Sequence, residues 1–387
     1  MVCLKSKRSA TCNHCLLAAL VTTLCGTFPL WPQTPPQGGK PQPDVLIFTN
    51  GEKLIGALES AQDDSVTFKS EMAGTVTVSW SKIEQLQTSR PFAVLAKNAK
   101  LRKHMDISGV PEGKLSMNDQ KIVAQPASGA PHIIPVKDAG YVVEQPQFDK
   151  AITGNESILS NWGGTITAGA SLIEATQKNI SLTGAINLAR VVPAEAWLNP
   201  SSRTLIDFNA AYGKVSQSGL PDIKTSIVHA DAEQDKYFSP RLFVFGQTAF
   251  DHNYSLGLDL QYAIGGGLGW TAYKAPGSEL DLKASVTYIH QNFNVGGMNQ
   301  SLIGSTFSEN YVRKFNSGLV LTQSISATPA WNNTNAFFGT AGITLAFPVW
   351  KRLSLSVTAL DAFLNNPPPG FKKNSFQATL GLTYALK

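Results

Sequence analysis

Charged side chains are scarce in this chain. Asp, Glu, Lys and Arg make up 15% of its 387 residues, against roughly 25% in typical soluble domains. The mean hydropathy is nevertheless close to zero, at −0.05, because Gly, Ser, Thr, Asn and Gln stand where charged residues would otherwise be. This composition disfavours a coiled coil, a charged disordered chain and a multi-span helical membrane protein. It is typical of a chain rich in extended, neutral-polar strands.

A concentrated basic surface is also lacking. Much of the formal net charge of +5 comes from Lys5, Lys7 and Arg8. No later stripe of Lys and Arg has the form of a surface that follows a phosphate backbone. We therefore predict no nucleic-acid partner.

Cysteine is absent after residue 25. The four cysteines are Cys3, Cys12, Cys15 and Cys25. The basic residues at the start precede an apolar run, residues 15–26, that is too short to span a membrane as a helix. This order predicts a signal peptide over residues 1–28, followed by a Pro/Gln/Gly-rich spacer over residues 29–43. Removal of the leader would leave a mature chain that has no cysteine and forms no disulfide.

Short strands and tight turns fill residues 44–92. Asn50-Gly51, the strongest short hairpin signal, separates two apolar runs, and apolar and polar residues alternate over Val76–Trp80. A weaker version of the pattern recurs over residues 93–150. We predict two small SH3-like or Sm-like β-barrel modules, over 44–92 and 93–150. A single irregular β domain is the alternative.

From residue 160 to residue 387 apolar and polar residues alternate over long segments. Many of these segments exceed about ten residues, whereas strands of soluble proteins usually run to five or six. The final segment places Phe376, Leu380 and Tyr384 on one apolar face. In hydrocarbon every backbone polar group must be bonded internally, so spanning strands must close into a barrel. We predict an all-β chain whose C-terminal part is an antiparallel transmembrane β-barrel of about twelve strands, with ten as the alternative.

The alternation assigns the two faces of the predicted barrel. Polar residues between the apolar ones predict the lumen face: Asp207, Asn209, Asp259, Gln261, Asp281 and Lys283. Aromatic residues near the segment ends predict the girdles that mark two membrane interfaces: Trp197, Tyr237, Trp270, Tyr273, Trp331 and Trp350.

Several segments resemble one known family, the salt-induced outer-membrane proteins, a domain of unknown function numbered 481. The stretch Asn161–Ser171 is similar to the opening strand of that domain. Three further stretches look like its middle strands and the loop before its last strand: Arg241–Gly246, Asp251–Gln261 and Asn366–Ser375. Residues 50–56 and 73–80 resemble a small module often placed upstream. The resemblance implies an outer-membrane location, a link to envelope adaptation and no known reaction.

No constellation in the sequence selects a reaction. Gly265–Gly269 is not followed by the amphipathic helix that a nucleotide-binding loop requires. His229 and Asp231 share a strand face but lack an obvious third metal ligand. His290, with the polar neighbour Asn292, has the residue types of a barrel-borne lipase, yet the spacing selects no serine. We therefore predict no catalytic, cofactor-binding or metal-binding residues.

The patterns together predict an exported, non-enzymatic barrel of the outer membrane of a Gram-negative-type bacterium, with its N-terminal module in the periplasm. Its expected role in the cell envelope is structural or concerns the passage of solutes. Its expected partners are outer-membrane lipid and the barrel-assembly machinery. The alternative from another class is a soluble, secreted β-sandwich protein that binds carbohydrate or another envelope polymer.

Overall fold

The structure is a computed structural model, and it describes residues 42–97, 99, 101–174, 177–217, 219 and 221–386. The expected signal peptide, the four cysteines and nearly all of the expected spacer lie outside the described residues. Within them, no helix is long and apolar enough to cross a membrane.

Nine strands form a single sheet in the N-terminal part of the chain. They are β1 (Asp44–Phe48), β2 (Lys53–Gln62), β3 (Ser65–Ser70), β4 (Gly74–Ser79), β5 (Ile83–Ala96), β6 (Glu112–Asn118), β7 (Lys121–Gln125), β8 (His132–Pro135) and β9 (Ala139–Glu144). Their order is β4-β3-β2-β1-β5-β6-β7-β8, and β9 pairs with both β2 and β5. We call residues 44–153 the module.

The two stretches that we expected to form separate small barrels share this sheet. Strand β5 joins them, because it is 14 residues long and pairs with β1 on one side and β6 on the other. One hydrophobic core also serves both: Phe68 and Trp80 from the first stretch are buried together with Leu115 and Ile122 from the second.

A helix and a second apolar cluster connect the module to the barrel. Helix α1 (Gln145–Thr153) follows β9 and has a proline in its first turn, where a missing N–H costs no helical hydrogen bond. Its buried Phe148 packs in a cluster that includes Leu198 from residues 193–201. The ring of Phe148 stacks on that of Trp197, with centroids 5.3 Å apart. A parallel β-bridge between Leu101 and Leu198 adds a backbone contact.

Twelve strands close into a barrel in the C-terminal part. They are β10 (Trp162–Glu174), β11 (Gln177–Val192), β12 (Ser202–Gln217), β13 (Ile223–Tyr237), β14 (Leu242–Asn253), β15 (Leu258–Ala275), β16 (Ser278–Phe293), β17 (Gln300–Lys314), β18 (Val320–Pro329), β19 (Phe337–Trp350), β20 (Leu353–Leu364) and β21 (Asn374–Ala385). Each strand pairs antiparallel with the next, and β10 pairs with β21 to close the ring. The predicted all-β fold with a twelve-stranded antiparallel barrel is confirmed, and the soluble β-sandwich is wrong because one sheet closes on itself.

Apolar side chains cover the outer face of the barrel. Successive residues of a strand point to opposite sides of the sheet, and one side of the barrel strands other than β13 carries large exposed apolar groups. Leu268 is 62% exposed, Val286 53% and Leu380 63%. A continuous apolar wall of this extent is unsuited to water. It matches the lipid-facing band of a transmembrane barrel.

The two ends of the barrel differ in their connections. We call the end where β10 begins the proximal end and the opposite end the distal end. Residues 193–201, which contact the module, lie at the proximal end, and two connections there have only two residues each, 276–277 and 351–352. Gly277 takes φ +75°, a left-handed conformation that tight hairpins require and glycine adopts without strain.

Phe148→Ala is expected to loosen the joint between module and barrel. It removes the ring that stacks on Trp197, and a buried Phe-to-Ala change costs about 3–5 kcal/mol. Limited proteolysis of the folded chain in detergent should then cut residues 145–161 faster. Met72→Ala is the control, because Met72 is 96% exposed and its loss should not alter the cleavage rate. An unchanged rate for Phe148→Ala would show that the joint does not depend on the stacked rings.

Candidate functional site in the barrel interior

Charged side chains from three strands meet at the proximal end of the barrel. We call Arg203, Glu233, Asp235, Glu279, Asp281 and Lys283 the interior charge cluster. Arg203 Nε lies 2.6 Å from Asp235 Oδ2, and Arg203 Nη1 lies 2.7 Å from Asp281 Oδ2 and 3.1 Å from Glu279 Oε1. Lys283 Nζ lies 2.6 Å from Glu233 Oε2.

These contacts place the cluster inside the barrel. Arg203 belongs to β12 and Asp281 to β16, and three strands separate these two along the wall. An ion pair between them therefore spans the lumen. Asp235 and Asp281 are 0% and 4% exposed, so their charges are largely removed from water and depend on their partners.

Aromatic rings surround the cationic members of the cluster. The guanidinium of Arg203 lies 5.1 Å from the ring centroid of Phe243 and 5.9 Å from that of Tyr237. Lys283 Nζ lies 5.4 Å from the centroid of Phe245. Cations are attracted to the faces of such rings within about 6 Å. Gly269 leaves the room that Phe243 needs, because a Cβ there would collide with the ring.

A histidine lies between two carboxylates further along the same inner wall. His229 Nδ1 is 2.7 Å from Asp251 Oδ1, and His229 Nε2 is 2.9 Å from Asp231 Oδ1. Both ring nitrogens are thus occupied, which leaves none to ligate a metal. No group of three or more His, Cys, Asp or Glu side chains among the described residues is arranged to hold a metal ion.

The inner wall has a charged half and a hydroxyl-rich half. On β12–β16, seven carboxylates face three permanently cationic side chains, Arg203, Lys283 and, at the proximal end, Lys274, whose Nζ lies 3.0 Å from Glu279 Oε2. The carboxylates are Asp207, Asp231, Glu233, Asp235, Asp251, Glu279 and Asp281. Elsewhere hydroxyl groups bond across the strands. Thr306 lies 2.8 Å from Thr287 and 2.9 Å from Thr328. The described interior is therefore acidic on one side and neutral on the other.

Five of the six residues expected to face the lumen lie on this inner face. They are Asp207, Asn209, Gln261, Asp281 and Lys283. Asp259 does not join them. It is exposed and sits at a register shift between Leu258 and Leu260. This bulge inserts one extra residue, so simple alternation assigns the wrong face there.

Four of the six expected girdle aromatics are exposed: Trp270, Tyr273, Trp331 and Trp350. The other two lie elsewhere. Trp197 belongs to the joint with the module, because residues 193–201 leave the barrel wall. Tyr237 faces inward beside Arg203, because the acidic residues of β13 set its side of the strand to the interior.

Arg203, Glu233 and Asp235 were not singled out from the sequence. A signal was present, since Asp231, Glu233 and Asp235 alternate at every second position and so share one strand face. Asp235 pairs with Arg203 on the neighbouring strand β12, whereas Glu233 pairs with Lys283 on β16. No pattern along the chain indicates which residues those partners are.

The module carries a smaller polar feature. A surface depression is lined by Ile107, Val110, Glu112 and His132 among others. Burial raises the pKa of the Glu112 carboxyl, and the charge of Asp149 raises it further. Gln145 Nε2 donates a hydrogen bond to Glu112 Oε2 at 2.7 Å, which opposes that rise.

An apolar outer wall and an ion-paired polar interior define a membrane barrel of the outer-membrane type. Residues 166–386 match the family described as "Protein of unknown function, DUF481", and the chain belongs to that family. The resemblance of the sequence to that domain is therefore confirmed. No curated protein compared with the chain by sequence matches it.

Solved outer-membrane barrels share the architecture at low identity. An outer-membrane channel from Pseudomonas putida F1 is 13% identical, with a TM-score of 0.34 over 60% of this chain and 100% of that one. The translocator domain of the autotransporter NalP from Neisseria meningitidis is 9% identical, with a TM-score of 0.30 over 62% and 92%. LpxR from Salmonella typhimurium is 9% identical, with a TM-score of 0.29 over 58% and 99%. At this distance, what those proteins do does not transfer to this chain.

Arg203→Met is expected to destabilise the barrel. It leaves the buried carboxylates of Asp235 and Asp281 without their cation, and breaking a buried ion pair from one side costs about 3–5 kcal/mol. The folded form, which migrates faster on unheated gels, should convert to the unfolded form at a lower temperature. Lys214→Met is the control, because its pair with Asp222 lies at an exposed rim and such pairs contribute little. Equal conversion temperatures for Arg203→Met and wild type would contradict a stabilising role for the cluster.

Proposed function

We propose that the protein is an outer-membrane barrel that passes small polar solutes, with a preference for cations, and that its module lies in the periplasm. The observation that carries this proposal is the excess of carboxylates on the inner wall. Side chains that line a narrow passage with one sign of charge raise the local concentration of the opposite ion. No reaction is assigned to the interior, whose charged groups pair with one another.

The charge cluster supports cation preference because its own cations do not satisfy all of its carboxylate oxygens. Glu233 Oε1 and Asp235 Oδ1 are buried without a hydrogen-bond partner among the described residues. Asp207 adds a further carboxylate directly opposite Asp231 on the neighbouring strand. A mobile cation near these groups would offset their mutual repulsion.

The dimensions of the barrel are compatible with passage. Eight strands enclose a space that side chains fill, whereas sixteen to eighteen leave a wide aqueous channel. Twelve lie between these limits. Interior positions of β11 such as Asn179, Thr183 and Asn187 are half-buried rather than buried, so solvent reaches part of the hydroxyl-rich half.

The lengths of the connections support a periplasmic module. Membrane barrels have short turns on the periplasmic side and longer loops outside. The proximal end has the two-residue turns 276–277 and 351–352 besides the longer connection 193–201 that contacts the module, whereas the distal end has the connections 294–299 and 365–373. The module joins the proximal end. We infer the surrounding lipid and the barrel-assembly machinery as partners, because the outer wall is apolar and β21 closes the ring.

A purely structural role is the second candidate. It is favoured by the buried charge cluster, which fills part of the proximal interior, and by the apolar joint to the module. A barrel of this kind would anchor the module to the membrane without conducting. Conductance distinguishes the two candidates directly.

Asp207→Asn is expected to weaken cation preference. Asn has nearly the same shape as Asp, and Asp207 forms no ion pair among the described residues, so the change removes charge without orphaning a cation. The reversal potential of the protein in a planar bilayer under a KCl gradient should move toward zero. Asp259→Asn is the matched control, because that carboxylate is exposed at the bulge. An absence of conductance, or a selectivity unchanged by Asp207→Asn, would rule out the proposed role of the acidic wall.

A further inference from the structure

A polar cluster lies on the lipid-facing side of the barrel, at the distal end. Tyr288, His290 and Asn292 continue the outer face of β16, on which Val286 is 53% exposed, whereas the intervening Gln291 is buried inside. Strand β17 begins at Gln300 and places Ser301 directly opposite His290. The sequence offers many serines as partners for His290, and the register selects this one.

The side chains form a continuous chain of hydrogen bonds. His290 Nδ1 lies 2.9 Å from Ser301 Oγ, and His290 Nε2 lies 3.0 Å from Asn292 Oδ1. Tyr288 Oη donates to the same Ser301 Oγ at 3.2 Å. The ring of Tyr262 packs beside the imidazole, with centroids 5.2 Å apart.

The donors and acceptors fix where the protons are. Asn292 Oδ1 can only accept, so His290 Nε2 must carry a proton and donate it. In the neutral ring Nδ1 is then the basic nitrogen. Ser301 Oγ accepts the hydrogen bond from the Tyr288 hydroxyl, so the Ser301 O–H donates its own hydrogen bond to His290 Nδ1. A hydroxyl, a base and a group that orients the base are the parts of an activated nucleophile.

We propose that Ser301, His290 and Asn292 form a lipid-facing esterase site that hydrolyses the acyl ester of a membrane glycerolipid. This activity goes beyond the proposed passage of solutes and uses none of the interior side chains. The position suits the substrate, because strand ends of a membrane barrel lie near the interface. At that depth the ester groups of lipids meet water.

The reaction needs only the lipid and water. Ser301 Oγ attacks the ester carbonyl carbon while His290 Nδ1 takes the hydroxyl proton. The C=O electron pair moves onto oxygen and returns as the bond to the glycerol oxygen breaks, and the imidazolium protonates that oxygen. Water then attacks the acyl-Ser301 ester with His290 again as base, which releases the fatty acid and restores the serine. The Tyr288 hydroxyl lies beside Ser301 Oγ, within reach of an oxyanion formed there.

The wall beside Ser301 leaves a path for an acyl chain. Strand β18 pairs with β17 from Phe307 onward, and beyond its end a single bridge joins Gly304 to Ala330. An Asn332 side chain bonds the backbone of Ser301 and Ile303. Below the serine, Ile303 and Phe307 are 44% and 56% exposed on the same face. They lead to a depression lined by Leu282, Phe307, Ile325 and Ala327 together with Lys283, Ser308 and Glu309. Six residues of strand cover about 20 Å, enough to cross one leaflet of a hydrocarbon core that is about 30 Å thick.

A neutral orienting group is consistent with this location. A carboxylate in contact with lipid is costly, whereas an amide oxygen orients the imidazole without a charge. Asn serves in this position in papain-like proteases. Asn292 is therefore a positioning residue, and Ser301 and His290 are the catalytic residues.

The test measures fatty-acid release by the full chain from vesicles of phosphatidylethanolamine and phosphatidylglycerol with labelled acyl chains. His290→Ala should lower the rate by roughly a hundredfold to ten-thousandfold, the usual contribution of a general base, and Ser301→Ala should abolish release. Ser226→Ala is the control, because Ser226 lies on the outer face of β13 opposite Tyr212, outside the proposed site, and its loss should leave the rate unchanged. Gel mobility of unheated samples checks that each variant is folded.

A second readout does not depend on variants. A labelled fluorophosphonate, which reacts with activated serines, should modify wild-type protein at Ser301, as located by peptide mapping, and should modify Ser226→Ala equally. Absence of both release and labelling in the wild type would overturn the proposal. So would labelling at another serine or full activity in Ser301→Ala. In each of those cases the hydrogen-bonded cluster only stabilises the rim. Conductance should be the same in Ser301→Ala and wild type, so the two proposals fail or hold separately.

Discussion

The requirement that every backbone N–H and C=O in hydrocarbon be bonded within the protein dominates this structure. Twelve strands meet it by pairing in sequence order and closing between β10 and β21. Closure leaves no free strand edge. It also divides the side chains of each strand strictly between an inner and an outer compartment, and the two candidate sites follow from that division.

The inner face of the barrel carries few charges, and most of them lie near the proximal end on β12, β13 and β16. Arg203 and Lys283 are the two most enclosed cations of the acidic half, and each is held by at least one carboxylate and by an aromatic ring. Lys274 pairs with Glu279 nearer the proximal end. The desolvation cost of each buried charge is offset only if its partners are fixed in place. The β-sheet fixes these partners in place, because the register between strands determines which side chains are neighbours. The low overall charge thus reflects a mostly apolar outer wall, on which Glu309 and Asp361 are exceptions, and an inner wall that concentrates the charge.

The sequence predicted the elements that depend on local pattern. Alternation over ten or more residues predicted the strands and, at Asp207, Asp281 and Lys283, the inner face. The alternation predicted the wrong position where a bulge interrupts the two-residue period of a strand and where the chain leaves the barrel wall. The bulge at Asp259 and the excursion that carries Trp197 into the joint are such places. The pairing of Ser301 with His290 could not be predicted either, because it depends on the register between β16 and β17, and the sequence does not show how far a strand slides against its neighbour.

Strand β16 shows why one barrel wall can hold two independent chemistries. Asp281 and Lys283 point into the lumen near its proximal end, whereas Tyr288 and His290 point to lipid near its distal end. The sheet itself separates the two groups, and its backbone hydrogen bonds are already committed to β15 and β17. The paired strands thus stand between the lumen-facing and the lipid-facing side chains. A reaction at His290 therefore proceeds in the solvent of the membrane interface, whatever ions occupy the lumen.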